Sequence, residues 1–195
     1  MSLMQPPQVG CFICRHPISA ITRESQMLVS PIIRPASSDE HEVLRDLFLE
    51  LDEFHRRERP GIFRRPVGPQ RSAEFLDATI RGPDSTILVA EDPAKRLLGL
   101  VTLFVRMIPA SIVRDERRFV ELDNLVVRAD ARRQGVGRLL VAAAAAWSAS
   151  IDVPTIELSV WSFNTCGKSL YHAAGFETII ERMAMATARQ PSALA

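Results

Sequence analysis

Two glycines and three arginines share one short polar segment, where an apolar run gives way to a helical pattern. The segment reads Arg132-Arg133-Gln134-Gly135-Val136-Gly137-Arg138. The first N–H groups of a helix lack partners within the helix, and together with the helix dipole they attract an anion. Glycine lets the anion approach the backbone, and arginine adds positive charge. The segment predicts a binding site for a phosphate group.

The spacing of this turn excludes two common kinds of phosphate site. The dinucleotide fingerprint needs a third glycine in a βαβ unit and an acidic residue about 20 positions further on. The phosphate-binding loop of nucleotide hydrolases needs Lys-Ser or Lys-Thr directly after its last glycine, whereas Arg138 and Leu139 follow Gly137. The alternative is a common glycine-containing turn between a strand and a helix. An anion bound here would belong to a different ligand.

The elements that hold this turn follow from hydrophobic periodicity and turn residues. Strands are predicted over 32–34, 86–91, 98–106, 119–127, 155–161 and 177–185. Helices are predicted over 43–54, 72–80 and 165–174, and a fourth opens at Gly135. Ser72 is the expected N-cap of the second helix, and Gly82-Pro83 ends it. This order indicates an α+β fold in which helices pack on a mixed, mostly antiparallel sheet.

Length and composition predict a single globular domain. The chain has 195 residues, of which 47% are hydrophobic and 24% charged. We expect a domain over 31–187, a flexible N-terminal extension over 1–30 and a short tail over 188–195. Only two of the 24 basic residues are lysines, which leaves 22 arginines, yet the net charge is +1. A dedicated nucleic-acid binder carries a larger basic excess, so no nucleic-acid partner is expected.

The first thirty residues and the apolar runs predict a cytoplasmic location. The longest strongly apolar run, 139–147, is far shorter than the ~20 residues that cross a bilayer as a helix. Neither a membrane span nor a secretory signal is expected. Three cysteines argue against a disulfide framework and for a reducing compartment. Cys11 and Cys14 resemble half of a zinc knuckle, but structural zinc needs four ligands and only Cys166 remains, far away in the sequence, so no metal site is predicted.

Several short strings, in this order and on these elements, resemble the GCN5-related N-acetyltransferase (GNAT) superfamily. The strings are Leu125-x-Val127, Arg132-x-x-Gly135-x-Gly137, Asn164, Leu170-Tyr171 and Gly175-Phe176. Each string is loose by itself, whereas their joint spacing is specific. The resemblance covers about residues 32–186 and implies acetyl-CoA as cosubstrate, an amine as acceptor, and a sheet whose two central parallel strands splay apart.

The resemblance implies how the cosubstrate is held. Its pyrophosphate would lie on the amides of the glycine turn, and its pantetheine arm would bind the backbone of the strand over 119–127. Asn164 matches a family asparagine that contacts pantetheine, although the same residue can act as a helix N-cap. The implied cofactor-binding residues are Leu125, Val126, Val127, Arg132, Arg133, Gln134, Gly135, Val136, Gly137, Arg138 and Asn164.

Two residues are candidates for acid–base work. Tyr171, the only tyrosine in the chain, aligns with the family tyrosine beside the sulfur, and a phenol can protonate a departing thiolate. Its alternative role is a buried aromatic on a helix face. Glu121 matches the position from which some relatives deprotonate the amine through water. Asp123 and Asn124 are possible substitutes, and a salt bridge is an equal alternative for Glu121.

The sequence does not specify the acceptor amine or the oligomeric state. Period-two alternation places Glu121, Asp123, Leu125 and Val127 on one strand face. An arginine-rich loop over 56–71 would wall the acceptor site in this family, or else form a solvated charge cluster. Homodimerisation is a family tendency. The alternative to an enzyme is a non-catalytic acyl-CoA-binding or regulatory module with the same fold.

Overall fold

The computed structural model describes residues 30–65, 68 and 71–185. Nearly all of the predicted extension over 1–30, including Cys11 and Cys14, and the whole tail over 188–195 lie outside these residues. The strands are β1 (Ile32–Pro35), β2 (Ser85–Glu91), β3 (Leu97–Ile108), β4 (Arg117–Val127) and β5 (Ile156–Leu158). The α-helices are α1 (His41–Glu58), α2 (Ala73–Arg81), α3 (Val136–Ser150) and α4 (Thr165–Ala173).

The five strands form one mixed sheet in the order β1-β2-β3-β4-β5. The first four strands pair antiparallel, and β5 pairs parallel with β4 through Ile156–Leu158 alone. The predicted α+β fold with a mixed, mostly antiparallel sheet is thereby confirmed. The predicted strand over 155–161 forms its ladder over three residues only, so β4 and β5 have no shared ladder beyond Leu122 and Leu158.

Helices cover both faces of the sheet, because the strands present buried apolar side chains to both sides. On one face, Leu44, Leu47 and Phe48 of α1 pack with Leu76 of α2 and with Val126 of β4. On the other face, α3 packs on the sheet, and Tyr171 of α4 joins the same cluster. Ser72 caps α2 as predicted, since its hydroxyl accepts a hydrogen bond from the Phe75 amide at 3.1 Å.

A β-bulge in β4 overturns the predicted alternation. Thr102 of β3 pairs with Asn124, and the next residue, Leu103, pairs with Leu122, so Asp123 has no partner in the ladder. An extra residue shifts the period by one. Leu122 and Leu125 consequently pack in the same cluster with α3. Glu121 precedes the bulge and lies on the opposite face of β4 from Leu125 and Val127, contrary to the sequence prediction.

Two further predictions differ from the structure. Residues 177–185 form no strand, and their apolar side chains are exposed, including Ile180 and Met183. Adjacent apolar residues at 179 and 180 break the period of two, and the three-residue β5 offers little edge for pairing. Helix α1 continues to Glu58, so Arg56 and Arg57 lie on the helix rather than in the loop. Basic residues in a last turn are favourable to the helix dipole.

Candidate active site

The glycine turn opens α3 with a backbone conformation that few residues tolerate. Arg133 has φ 66° and Gly135 has φ 88°, both in the left-handed region. Helix α3 begins at Val136, and no side chain caps its N-terminus. The first N–H groups of α3 are therefore left without a side-chain acceptor and can receive an anion. The turn fits the predicted pyrophosphate site.

Gly137 stands where α3 meets α4. A Cβ added at this glycine would lie 3.1 Å from Leu170 Cδ2 and 3.8 Å from Val127 Cγ2. A side chain there would require the Leu170 side chain to give way by a few tenths of an ångström. Gly137 thus lies where side chains of α4 and of the end of β4 approach α3, the elements that the family resemblance assigns to the cosubstrate.

The Arg132 side chain makes its contacts within the protein. Its Nε donates to the Val127 carbonyl at 2.9 Å, and its guanidinium forms an ion pair with Glu50 of α1. These contacts tie the end of β4 and the start of the turn to α1. Arg132 therefore acts as a positioning residue for the turn, whereas Arg133 and Arg138 are exposed beside it.

Gly135→Ala is expected to lower the free energy of unfolding by about 1 kcal/mol, because an L-residue is strained in the left-handed region. Space is not the cause, since a Cβ added at this glycine would meet nothing within 4 Å. Gly61→Ala is the matched control, because Gly61 is equally open and has no positive φ. Denaturant unfolding of the two variants measures the difference. Equal effects would contradict the strain argument.

The structure brings Tyr171 next to the predicted cosubstrate strand. Tyr171, Leu125 and Val127 pack against one apolar cluster, together with Ile156 and Leu158 of β5. The Tyr171 ring also meets Phe176 edge-on, with 5.7 Å between ring centroids. The Tyr171 ring therefore packs on the α3 side of the sheet, in the cluster that also takes in side chains of β4 and β5.

The surroundings of Tyr171 keep its hydroxyl protonated. Burial raises the pKa of Tyr171 to about 12, because a phenolate would lose its hydration there. No residue of the described chain accepts or donates a hydrogen bond at this hydroxyl, and no described side chain has a polar atom both sealed from solvent and unpaired. The Tyr171 hydroxyl is thus protonated at neutral pH and is not fully sealed from solvent.

Asn164 is the N-cap of α4. Its Oδ1 accepts a hydrogen bond from the Gly167 amide at 2.9 Å, which confirms the capping role weighed from the sequence. A Cβ at Gly167 would lie 2.6 Å from Asn164 Nδ2, so a larger residue there would displace the capping side chain. Contact with pantetheine stays a prediction.

Two carboxylates of β4 differ in how they are held. Glu121 Oε2 accepts from Arg106 Nε at 2.6 Å across the β3–β4 ladder. Asp123 lies in the bulge, where the Asn124 side-chain amide donates to its carboxylate and to Thr102 Oγ1. The Asp123 side chain has a solvent-exposed surface but is enclosed by protein on its other sides. This partial burial raises the pKa of Asp123, and the charge of Glu121 raises it further.

Five aromatic rings form a cluster that the sequence analysis did not identify. They belong to Phe54 and His55 of α1, Phe63 of the following loop, and Trp161 and Phe163 between β5 and α4. The aromatic residues on either side of Ser162, directly before Asn164, were the available sequence signal. We call these five residues the ring cluster.

His55 is anchored within the ring cluster. Its Nδ1 donates to the Leu51 carbonyl at 3.0 Å, which leaves Nε2 as an acceptor in the neutral ring. Burial lowers the pKa of His55. At neutral pH the ring is therefore uncharged and presents an aromatic surface.

Three observations concern metal ligands, cysteines and membrane-spanning helices. Within residues 30–65, 68 and 71–185, no group of three or more His, Cys, Asp or Glu side chains could hold a metal ion. Cys166 is disulfide-bonded, whereas the cysteine count was taken to argue against a disulfide framework. No helix among the described residues is long and apolar enough to cross a membrane.

A family model and the fold together define the class of this protein. The model of the acetyltransferase (GNAT) family matches residues 48–176, which is more than half of the chain. The protein therefore belongs to the GNAT family of acetyltransferases. No curated protein matches this sequence.

Solved structures share the fold over most of this chain. A mutant of the BH1408 protein from Bacillus halodurans is 28% identical, with a TM-score of 0.76 over 80% of this chain and 99% of its own. A putative acetyltransferase from Agrobacterium tumefaciens is 19% identical, with a TM-score of 0.59 over 82% and 99%. An aminoglycoside antibiotic 6'-N-acetyltransferase from Acinetobacter baumannii is 13% identical, with a TM-score of 0.61 over 82% and 99%. The last two share the fold alone.

Proposed function

We propose that this protein transfers the acetyl group of acetyl-CoA directly to a primary amine. The observation that carries the proposal is the uncapped N-terminus of α3, which follows β4 in the chain. Leu125 and Val127 of β4 pack against the same apolar cluster as Tyr171. A phosphate site and a buried proton donor on the same side of one sheet are what thioester chemistry needs. The amides of residues 133–138 would hold the pyrophosphate, and exposed Arg133 and Arg138 would add charge.

The two faces of the sheet carry different candidate groups for acid–base catalysis. Tyr171 lies on the α3 side, whereas Glu121 lies on the opposite side of β4, together with α1. The region beyond Leu158, where β4 and β5 share no ladder, joins the two sides. A thioester placed there would meet the phenol from one side and the amine from the other. The backbone amides of β4 near Leu125 are the candidates for stabilising the oxyanion.

In the proposed reaction, groups of the protein and water account for each bond change and each proton. The neutral amine nitrogen forms a bond to the acetyl carbon, the carbon–sulfur bond breaks, and Tyr171 gives its proton to the departing thiolate. The amine loses one proton to Asp123 or to water. Tyr171 then regains a proton from solvent. Most of the rate gain would come from holding both reactants in one orientation.

Titration calorimetry with acetyl-CoA, followed by thiol release over a panel of amines, tests the proposal. Gly137→Val is expected to weaken acetyl-CoA binding at least about tenfold, because the new side chain displaces Leu170. Gly61→Val is the matched control and is expected to bind like the parent. Tight binding without turnover on any amine would instead favour a non-catalytic acyl-CoA-binding module. Absence of acetyl-CoA binding would refute both functions.

A further inference from the structure

The ring cluster is apolar surface outside the protein's two cores. None of its five residues belongs to either group of buried side chains that hold the sheet to its helices. Phe48, one turn before the cluster on α1, is 1% exposed, whereas Trp161 is 39% exposed. The other four rings are half-buried. Partly exposed aromatic rings that are grouped in one place are typical of a binding site.

The rings are ordered among themselves. Four of them contact in a closed circuit, with centroid distances of 5.2 Å for His55–Phe63, 5.5 Å for Phe63–Trp161, 5.9 Å for Trp161–Phe163 and 6.0 Å for Phe163–His55. Stacked and edge-on pairs alternate around the circuit, which is the geometry that aromatic quadrupoles favour. A preorganised aromatic surface binds a planar guest at a low cost in side-chain entropy.

The ring cluster and the carboxylate of Asp123 lie on the same side of the sheet. The Asn124 side-chain amide, which donates to Asp123, lies on the same face of β4 as Val126, and Val126 packs with Phe48 of α1. Asp52 of α1, three positions before His55, pairs with Arg71 at 2.8 Å. The carboxylate in the bulge and the aromatic surface therefore belong to one region, on the α1 side of the sheet.

The charges around the ring cluster disfavour a guest with several positive charges. The Arg59 guanidinium lies 5.9 Å from the centroid of the Phe163 ring. Among the described residues, Arg59, Arg64 and Arg65 have no carboxylate within ion-pair distance. A polyamine or an aminoglycoside would bring further positive charges next to these arginines, whereas an aromatic group would stack without repulsion.

We propose that the acceptor is a monoamine with an aromatic body, such as an arylalkylamine. The aromatic body would lie on the ring cluster, and the amino group would point to Asp123. This inference rests on the proposed function, because it names the substrate class of the same site.

The test compares amines that differ in their aromatic content. We expect kcat/KM for 2-phenylethylamine to exceed that for spermidine and kanamycin by at least about tenfold. Trp161→Leu is expected to lower kcat/KM for 2-phenylethylamine about tenfold, whereas Trp161→Phe keeps most of it, because phenylalanine retains a stacking face. The matched control is Phe75→Ala, an exposed ring on α2 outside the cluster, for which no change is expected. Circular dichroism confirms that each variant is folded.

Each contrary outcome has a distinct meaning. Turnover of spermidine or kanamycin that equals turnover of 2-phenylethylamine would overturn the aromatic acceptor and leave acetyl transfer intact. Equal losses in Trp161→Leu and Trp161→Phe would also overturn it. A changed oligomeric state in Trp161→Leu with unchanged kinetics would assign the surface to contacts between copies of the chain instead. Failure with every amine would refute the proposed function itself.

Discussion

Tyr171→Phe is expected to lower kcat by about a hundredfold or more, because it removes the proton donor for the thiolate. The substitution keeps the ring and its packing against Phe176 and the apolar cluster on the α3 side of the sheet. Acetyl-CoA affinity is therefore expected to stay within about twofold of the parent, since the binding contacts are retained. Steady-state thiol release and calorimetry together separate the two quantities. An unchanged kcat would remove Tyr171 from the mechanism.

The pKa of Tyr171 determines the form of the pH dependence. Burial raises this pKa to about 12, so the phenol is protonated throughout the neutral range. A falling limb of kcat that depends on Tyr171 is expected only near pH 12. The same apolar surroundings would also raise the pKa of a thiolate beside the phenol, because burial disfavours every anion. The shift therefore does not prevent proton transfer to the sulfur.

Asp123→Asn is expected to lower kcat/KM for the amine by about a hundredfold, the size typical of losing a general base. Glu121→Gln is the comparison and is expected to cost less than about tenfold, because the Glu121 carboxylate is already paired with Arg106. Both substitutions keep the size of the side chain. A larger loss of kcat/KM in Glu121→Gln than in Asp123→Asn would assign the role of general base to Glu121.

The raised pKa of Asp123 gives this prediction a pH signature. The carboxylate form accepts the proton, so kcat/KM should rise with pH as Asp123 ionises, above the ordinary range of aspartic acid. This rising limb should disappear in Asp123→Asn. A competing limb from ionisation of the amine is identified by repeating the profile with amines of different pKa.

Stability should change in the opposite sense to activity. A carboxyl group with a raised pKa in the folded state contributes stability while protonated, and this contribution is lost as pH rises through the folded-state pKa. At neutral pH the ionised Asp123 therefore opposes folding. Asp123→Asn is expected to raise the free energy of unfolding at neutral pH and to leave it nearly unchanged at low pH. Denaturant unfolding at both values separates a catalytic role from damage to the fold.

Local patterns of the sequence were sufficient for most elements. The Ser72 cap, the end of α2 at Gly82-Pro83, the meander β2–β4 and the turn into α3 depend on neighbouring residues, so their types and spacing carry the information. The segment over 177–185 has strand-forming residues, but a strand also needs a partner edge. That requirement lies outside the segment and could not be inferred from it.

The bulge at Asp123 shows why the arrangement of the site was harder to predict. The side chains of β4 alternate between the two sheet faces both before and after Asp123. Only the pairing of β4 with Thr102 and Leu103 shows where this alternation shifts by one residue. The bulge separates Glu121 from Leu125 and gives Asp123 its enclosed position. Register depends on the partner strand, so the sequence of β4 alone does not contain it.

The sequence by itself determined the family and the glycine turn that opens α3, because both depend on residue types at short spacing. Only the tertiary structure decided that Arg132 pairs with Glu50, 82 positions earlier, rather than standing free in the turn. It also brought Phe54 and His55 of α1 to Phe163, which lies over a hundred residues further along the chain. Contacts of this kind arise when the helices pack on the sheet, and no local pattern encodes them.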